Sequence, residues 1–430
     1  MDKGFLNKRR ENLLNKILNG PGTQLHSLIF FGILFAGIVL TVLMLFLDFS
    51  RIDCILWSGL SGGVFPDFFQ SLMYKQDPYS LYPEGVYLFL DFMLLFIPDR
   101  FETYDFMAVS LTPHGLCVSI LFFSAASVLL FGLIFKFSRG TLSHKIALCL
   151  TLAASAPFVY LIERGNLIII SVLGSAIFLF LNRSSKRYLR VISYFSLAVG
   201  AAFKIYPAIL GLILVYEKRF KAALACLAIG IAIFVLPYFF KGGLNSFFDM
   251  LENINYYQQQ SWVFGTAYKT DLTNFCNIIG NLTGAPLSAS EKVGEIMRYA
   301  FGITAVVAAA FADAYWKKAG LLMSVIVLCM PFSWIYTLCY YIPVVILFFN
   351  EQKEPPVGKI VYSMLFALMF VLVPFGKPGF IDALTYESIS TNLATLIENF
   401  TAVVLGFLLL AEAISAGFFK VKNLFNRKKI

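Results

Sequence analysis

The chain is a succession of apolar blocks separated by short polar breaks. Covering about 30 Å of hydrocarbon takes about 20 mostly apolar residues. Blocks at 28 to 47, 115 to 135, 146 to 162, 166 to 182, 191 to 203, 207 to 216, 222 to 240, 299 to 315, 319 to 333, 335 to 349, 360 to 375 and 393 to 415 are predicted as membrane spans, twelve in all. One further block, Val86 to Ile97, is too short to span and has acidic neighbours (Asp77, Glu84, Asp99, Glu102, Asp105), which predicts a helix lying in the outer interface. The fold class predicted is an all-α integral membrane protein of about 12 transmembrane helices, with interfacial helices in the first external loop.

Charge gives the blocks their orientation. With the amino terminus inside and loops assigned alternately, the inner set holds 24 Lys and Arg against 7 Asp and Glu, and the outer set 10 against 18. The formal +9 therefore divides into +17 inside and −8 outside, the positive-inside bias of a membrane protein. Both termini are expected in the cytoplasm, in a bacterial cytoplasmic membrane. Residues 1–27 read as a basic cytoplasmic arm rather than a cleavable leader, and 418–430 as a basic tail. The chain reads as one polytopic domain, 1–430, with two long external segments, 48–114 and 241–298. Cytoplasmic loops are all short, so function is expected on the external face.

Composition agrees: 59% hydrophobic and 14% charged is far from a soluble domain, and it excludes a disordered or nucleic-acid-binding chain despite the basic pI. The seven Cys show no metal-type spacing, and several lie within apolar blocks (Cys149, Cys226, Cys329, Cys339), as small core residues do.

Four stretches offer chemistry on the external side. Asp67, in Pro66-Asp67-Phe68-Phe69, follows a Gly-rich turn (Gly59, Gly62, Gly63); a carboxylate beside apolar rings suits a general base, and the same residue suits a helix cap after Pro66. Glu163-Arg164-Gly165-Asn166 joins two spans, where Arg164 and Asn166 can donate to an anionic or polyhydroxyl ligand, or Arg164 can pair with Glu163. Lys204-Ile205-Tyr206-Pro207 turns a hairpin whose apolar arms are only about 13 and 10 residues, so Lys204 is expected within the membrane thickness, where a cation marks a site. The second long loop interleaves Tyr256, Tyr257, Trp262 and Tyr268 with Gln258 to Gln260, as a sugar-facing surface or an interfacial aromatic belt does. Pro331-Phe332-Ser333-Trp334-Ile335-Tyr336 forms a last external turn. No P-loop, GxGxxG, HExxH or GxSxG occurs, and three His make a His-based metal site unexpected.

Taken in order, Asp67 with Tyr79 and Tyr82-Pro83, then Gly165-Asn166, Lys204-Ile205-Tyr206-Pro207 and Pro331-Phe332-Ser333-Trp334 resemble the polytopic C-type glycosyltransferases. The specific resemblance is to glycosyltransferase family 87, the polyprenyl-phosphate-mannose-dependent α-1,2-mannosyltransferase-like family. The family usually has Tyr-Pro-Pro where this chain has Tyr82-Pro83-Glu84, Gly-Gln-x-Asn around Asn166, and a His in the neighbourhood of Tyr336. The resemblance implies a hexosyltransferase using a polyprenyl-phosphate sugar as co-substrate, with membrane lipids and a glycolipid or glycan acceptor as partners, no nucleic acid, no cofactor and no divalent metal. It casts Asp67 as base, Lys204 and Arg164 as donor-phosphate binders, and Asn166, Tyr206, Tyr82, Tyr268, Trp334 and Tyr336 as donor or acceptor contacts. The competing classes are a transporter or flippase of lipid-linked sugars, which usually shows internal repeats, and a polysaccharide polymerase or ligase.

Overall fold

A computed structural model describes residues 25–47, 64–73, 81–98, 105–243, 245–258, 269–330, 333–351, 354–373 and 393–427. The basic arm before Leu25, the Gly-rich turn at 59–63, Tyr79, Trp262, Tyr268, and Pro331 with Phe332 lie outside the described residues.

All regular structure among the described residues is helical. Helix α1 (Leu25–Leu47) is followed by three short helices, α2 (Pro66–Met73), α3 (Glu84–Leu94) and α4 (Phe106–Ser110). The Val86 to Ile97 block is thus a short helix as expected, and the segment around Asp67 forms a second that hydropathy alone did not announce. Next come α5 (Pro113–Phe137), α6 (Leu142–Ala153), α7 (Ala156–Arg164), α8 (Ile168–Leu181) and α9 (Arg187–Phe203). A 3₁₀ segment, Tyr206–Gly211, runs into α10 (Leu212–Tyr216). Then follow α11 (Phe220–Phe240), α12 (Asn245–Gln258), α13 (Leu272–Thr283), α14 (Leu287–Ala309) and α15 (Tyr315–Cys329). A second 3₁₀ segment, Ile335–Tyr341, continues into α16 (Ile342–Asn350), and α17 (Pro356–Phe370) and α18 (Leu393–Arg427) complete the order.

Each of the twelve predicted blocks coincides with a helix, but spans and helices are not in one-to-one register. Among the described residues four helices are long and apolar enough to cross a membrane: Leu25–Leu43, Pro113–Phe137, Phe220–Phe240 and Ala394–Lys420. The 146 to 162 block is broken into α6 and α7 with a 52° bend. Pro157 in the first turn of α7 supplies no N–H to α6 and forces the chain out at Ser155. The 299 to 315 block falls mostly in a helix that begins earlier, at Leu287 after Pro286, and ends at Ala309, so the helix extends beyond the apolar part on one side and stops short of it on the other.

The long helices form the rim and the short ones the centre. Only 11% of the apolar window of α11 is buried, so that helix faces lipid, whereas most of α15 and every residue of Ile335–Tyr341 are buried, packed among α7, α8, α14, α16 and α18. A short helix can be this apolar because protein, not lipid, covers it.

One crossing positions the site. Helices α8 and α9 approach so closely that a Cβ on Gly174 would lie 2.4 Å from the Ser196 carbonyl oxygen and 3.1 Å from the Gly200 Cα. The hydroxyl of Ser171 donates to the Gly200 carbonyl at 2.7 Å. Small residues let the two backbones touch, the usual device where no hydrophobic effect pulls helices together. Asn166 precedes α8 and Lys204 follows α9, so this contact fixes how far apart those two side chains stand.

Candidate active site

Helix α7 ends in a left-handed turn. Gly165 has φ 61° and ψ 41°, its N–H donates to the Ile162 carbonyl, and the Asn166 N–H donates to the Leu161 carbonyl at 3.1 Å, which closes both bonds of a Schellman motif. Directly against it lies Phe65, which also has positive φ (53°), a conformation that costs a bulky residue energy and that packing must hold. A Cβ on Gly165 would sit 2.5 Å from the Phe65 Cβ and 2.9 Å from its Cα. The carbonyl of Phe65 accepts from Phe68 and Phe69, and so starts α2. Asp67, in the first turn of α2, is thereby delivered to the end of α7.

The Asp67 carboxylate is held at both oxygens. Arg164 donates to Oδ1, and Asn166 Nδ2 donates to Oδ2 at 2.7 Å. Asn166 is itself fixed, because its Oδ1 accepts the Ile168 N–H at 3.0 Å at the start of α8, and only 3% of it is exposed. Asp67 is half-buried, with Phe68 and Phe69 fully buried beside it. The sequence offered a carboxylate desolvated by neighbouring rings; the fold supplies a guanidinium and a carboxamide as well. Each carboxylate oxygen has two lone pairs, so Asp67 keeps accepting capacity for a hydroxyl. Arg164 spends one of its five N–H donors here. Its partner is Asp67 rather than the adjacent Glu163.

Lys204 arrives from the other side. It lies in extended conformation after α9 (φ −144°, ψ 118°), and its Nζ stands 4.4 Å from the centroid of the buried Tyr82 ring. That is close range for a cation on an aromatic face. Burial, and then the nearby Asp67, push the Tyr82 phenol upward, while a hydrogen bond to Ser71 works against them; the ring stays neutral. Lys204 lies within electrostatic reach of Asp67 and Tyr206. Tyr336 sits in the first turn of the second 3₁₀ segment, is 8% exposed, and interacts with Asp67, Tyr82 and Arg164. Thus segments far apart in sequence bring Asp67, Tyr82, Arg164, Asn166, Lys204, Tyr206 and Tyr336 into one cluster.

Two expected residues remain, Trp334 and Tyr268. The Trp334 backbone pairs with Lys269 as an isolated antiparallel bridge. Beside it the Ser333, Thr337 and Thr270 hydroxyls interlink, Ser333 to Thr337 at 2.7 Å, so the Ser-Trp element ties the segment before α13 to Ile335–Tyr341. Tyr268 lies outside the described residues. One cluster member was absent from the sequence reading: Tyr160, whose ring stacks on Tyr336 with centroids 5.8 Å apart and planes 16° apart. The signal was available, since Tyr160 precedes Arg164 by four residues on α7 and so shares its face. Among the described residues no group of three His, Cys, Asp or Glu stands close enough to hold a metal ion.

Gly165→Ala tests the hinge of this arrangement. The left-handed conformation alone costs about 1–2 kcal/mol with a Cβ present, and the Cβ also pushes Phe65 and with it α2. Lower thermal stability in detergent is expected for Gly165→Ala. Gly165→Asn, which tolerates the conformation but still carries the Cβ, is expected not to restore it; full recovery would show that Phe65 gives way freely.

The family model described as glycosyltransferase family 87 matches residues 106–339. No curated protein and no solved structure matches the chain.

Proposed function

The chain belongs to glycosyltransferase family 87 and is a membrane glycosyltransferase, and from that premise we propose that it moves a sugar, mannose or another hexose or pentose, from a polyprenyl-phosphate donor to a lipid or glycan acceptor at the external face of a bacterial cytoplasmic membrane. The observation that carries this reading is the juxtaposition of a carboxylate fixed by Arg164 and Asn166 with a cation, Lys204, that lies over the Tyr82 ring.

The chemistry divides between them. The bond from the anomeric carbon to the phosphate oxygen breaks, and polyprenyl phosphate leaves with the electron pair. That group is a good leaving group without a proton, so a cation near it suffices and no general acid is needed. Lys204 supplies the charge, and the unspent N–H groups of Arg164 can reach the same oxygens. The acceptor hydroxyl attacks the opposite face of the sugar, which inverts the anomeric centre, and its proton passes to Asp67. Arg164 and Asn166 hold Asp67 in place, so its orientation needs no adjustment during the step. Tyr82, Tyr206 and Tyr336 offer ring faces and hydroxyls for sugar and prenyl contacts; Tyr268 and Trp334 belong to the adjoining loop.

The test is transfer by purified protein in lipid, supplied with polyprenyl-phosphate sugars and candidate acceptors and followed by mass spectrometry of glycolipids and glycans. Release of polyprenyl phosphate with a glycosylated product is expected. Transfer from a soluble nucleotide sugar but from no polyprenyl-phosphate sugar would overturn the donor class.

A further inference from the structure

A cationic cavity lies at the far end of α9 from Lys204. Helix α9 has 17 residues, which at about 1.5 Å each puts about 25 Å between its two ends. Where α8, α9, α10 and α11 meet, a cavity of about 840 Å³ opens, lined by Arg183, Arg190, Lys218, Arg219 and Lys221 with a single carboxylate, Glu217. By the charge bias of the loops this end faces the cytoplasm.

The cavity's walls are built rather than incidental. The Arg219 guanidinium donates to the Asn182 carbonyl at 2.7 Å and to the Tyr194 hydroxyl at 2.7 Å. The Arg183 guanidinium lies 3.7 Å over the Tyr315 ring and pairs with Glu217, which also pairs with Arg219 at 3.2 Å. Glu217 is thus consumed by two arginines. Arg190 donates to backbone carbonyls of Ser184 and Ser185, and among the described residues Lys218 and Lys221 have no ion-pair partner. The cavity keeps an uncompensated positive charge.

Lys218 adds an independent observation. It is one of two non-glycine residues with positive φ among the described residues, at 58°. Its N–H donates to the Val215 carbonyl, and the Arg219 N–H donates to the Leu214 carbonyl at 2.8 Å, the bonds of a helix-ending turn in which glycine is the residue without strain. The lysine that occupies this strained position lines the cavity. Phe220 in the lining and Leu224, one turn further along α11, are exposed apolar side chains, so an apolar flank borders the cationic walls.

We propose that this cavity binds the phosphate headgroup of an anionic phospholipid of the inner leaflet. Basic pockets between helices at the cytoplasmic boundary suit such headgroups, each nearby cation contributing about a fivefold gain in affinity. The shared chemistry is a phosphate anion, and the exposed apolar flank assigns it to a lipid rather than to a soluble compound. This site stands apart from Asp67 and does not depend on the identity of the sugar donor.

Native mass spectrometry of the full chain released from phosphatidylcholine bilayers with and without phosphatidylglycerol tests it. Wild type is expected to retain phosphatidylglycerol over phosphatidylcholine. Lys218→Gly removes a charge while placing the favoured residue in the turn, so it is expected to weaken retention about fivefold with a melting temperature equal or higher. Lys221→Gln, which leaves the turn untouched, is expected to weaken it similarly. Unchanged retention in both variants, or no preference for phosphatidylglycerol in wild type, overturns the proposal. Displacement of the bound lipid by soluble glycerol phosphate overturns the lipid assignment in favour of a free phosphate compound.

Discussion

Replacing Asp67 with asparagine is expected to cut turnover by about 100- to 10,000-fold, the range for losing a general base, with donor binding preserved. The geometry makes this a demanding substitution. Asp67 accepts from Arg164 at one oxygen and from Asn166 at the other. An asparagine can point its oxygen at Arg164, but its amide then faces the Asn166 amide, donor against donor. Asn166 cannot turn over to meet it without losing the Ile168 N–H that its own oxygen accepts. The variant therefore carries a structural cost of about 1–3 kcal/mol beside the chemical one. The two are separated by Asn166→Asp in the Asp67→Asn background, which restores a donor–acceptor pair between the positions without restoring a carboxylate at 67. Recovery of stability without recovery of turnover is the expected pattern. Recovery of turnover in Asp67→Asn itself, measured with saturating polyprenyl-phosphate sugar, removes Asp67 from the reaction.

The same three residues show how much could be read from the chain. Asp67, Arg164 and Asn166 each stood out singly, because a carboxylate beside Phe and polar groups at span ends are unusual in so apolar a sequence. Their mutual bonding was not legible: Arg164 is 97 positions from Asp67, and either Glu163 or a ligand phosphate was an equally natural partner for it. What decides between them is the left-handed Gly165 and its contact with Phe65, a pairing of two backbone conformations that hydropathy does not encode. Helix positions were legible wherever residues are apolar all round, as in α5 and α11. They were not where a proline breaks a span internally, as at Pro157; the 335 to 349 block was legible as a position, but not its 3₁₀ first half or its cover of protein in place of lipid. For Trp334 the fold adds a backbone bridge to Lys269, a tie between distant segments that the motif itself does not encode.

Lys204→Met is expected to weaken binding of the polyprenyl-phosphate donor by about 10- to 100-fold, the worth of a charge-assisted hydrogen bond to phosphate. A larger fall, about 100- to 1,000-fold, is expected in kcat/KM for the donor, because charge accumulates on the departing phosphate in the transition state and a fixed cation gains with it. Methionine is the informative choice. Its unbranched side chain can still lie on the Tyr82 ring that the ammonium now covers at 4.4 Å, so packing survives while charge is lost. Lys204 also follows α9 directly, and the Gly174–Gly200 contact holds that helix end, so the backbone at 204 has no reason to move. Lys204→Arg then separates charge from shape: the guanidinium keeps the charge but is planar and longer, and against a closed aromatic face it is expected to recover donor binding only in part. Titrating donor and acceptor independently gives the decisive split. A defect confined to the donor places Lys204 on the leaving phosphate, whereas a defect confined to acceptor KM transfers it to the other substrate and leaves Arg164 as the cation that the departing phosphate meets.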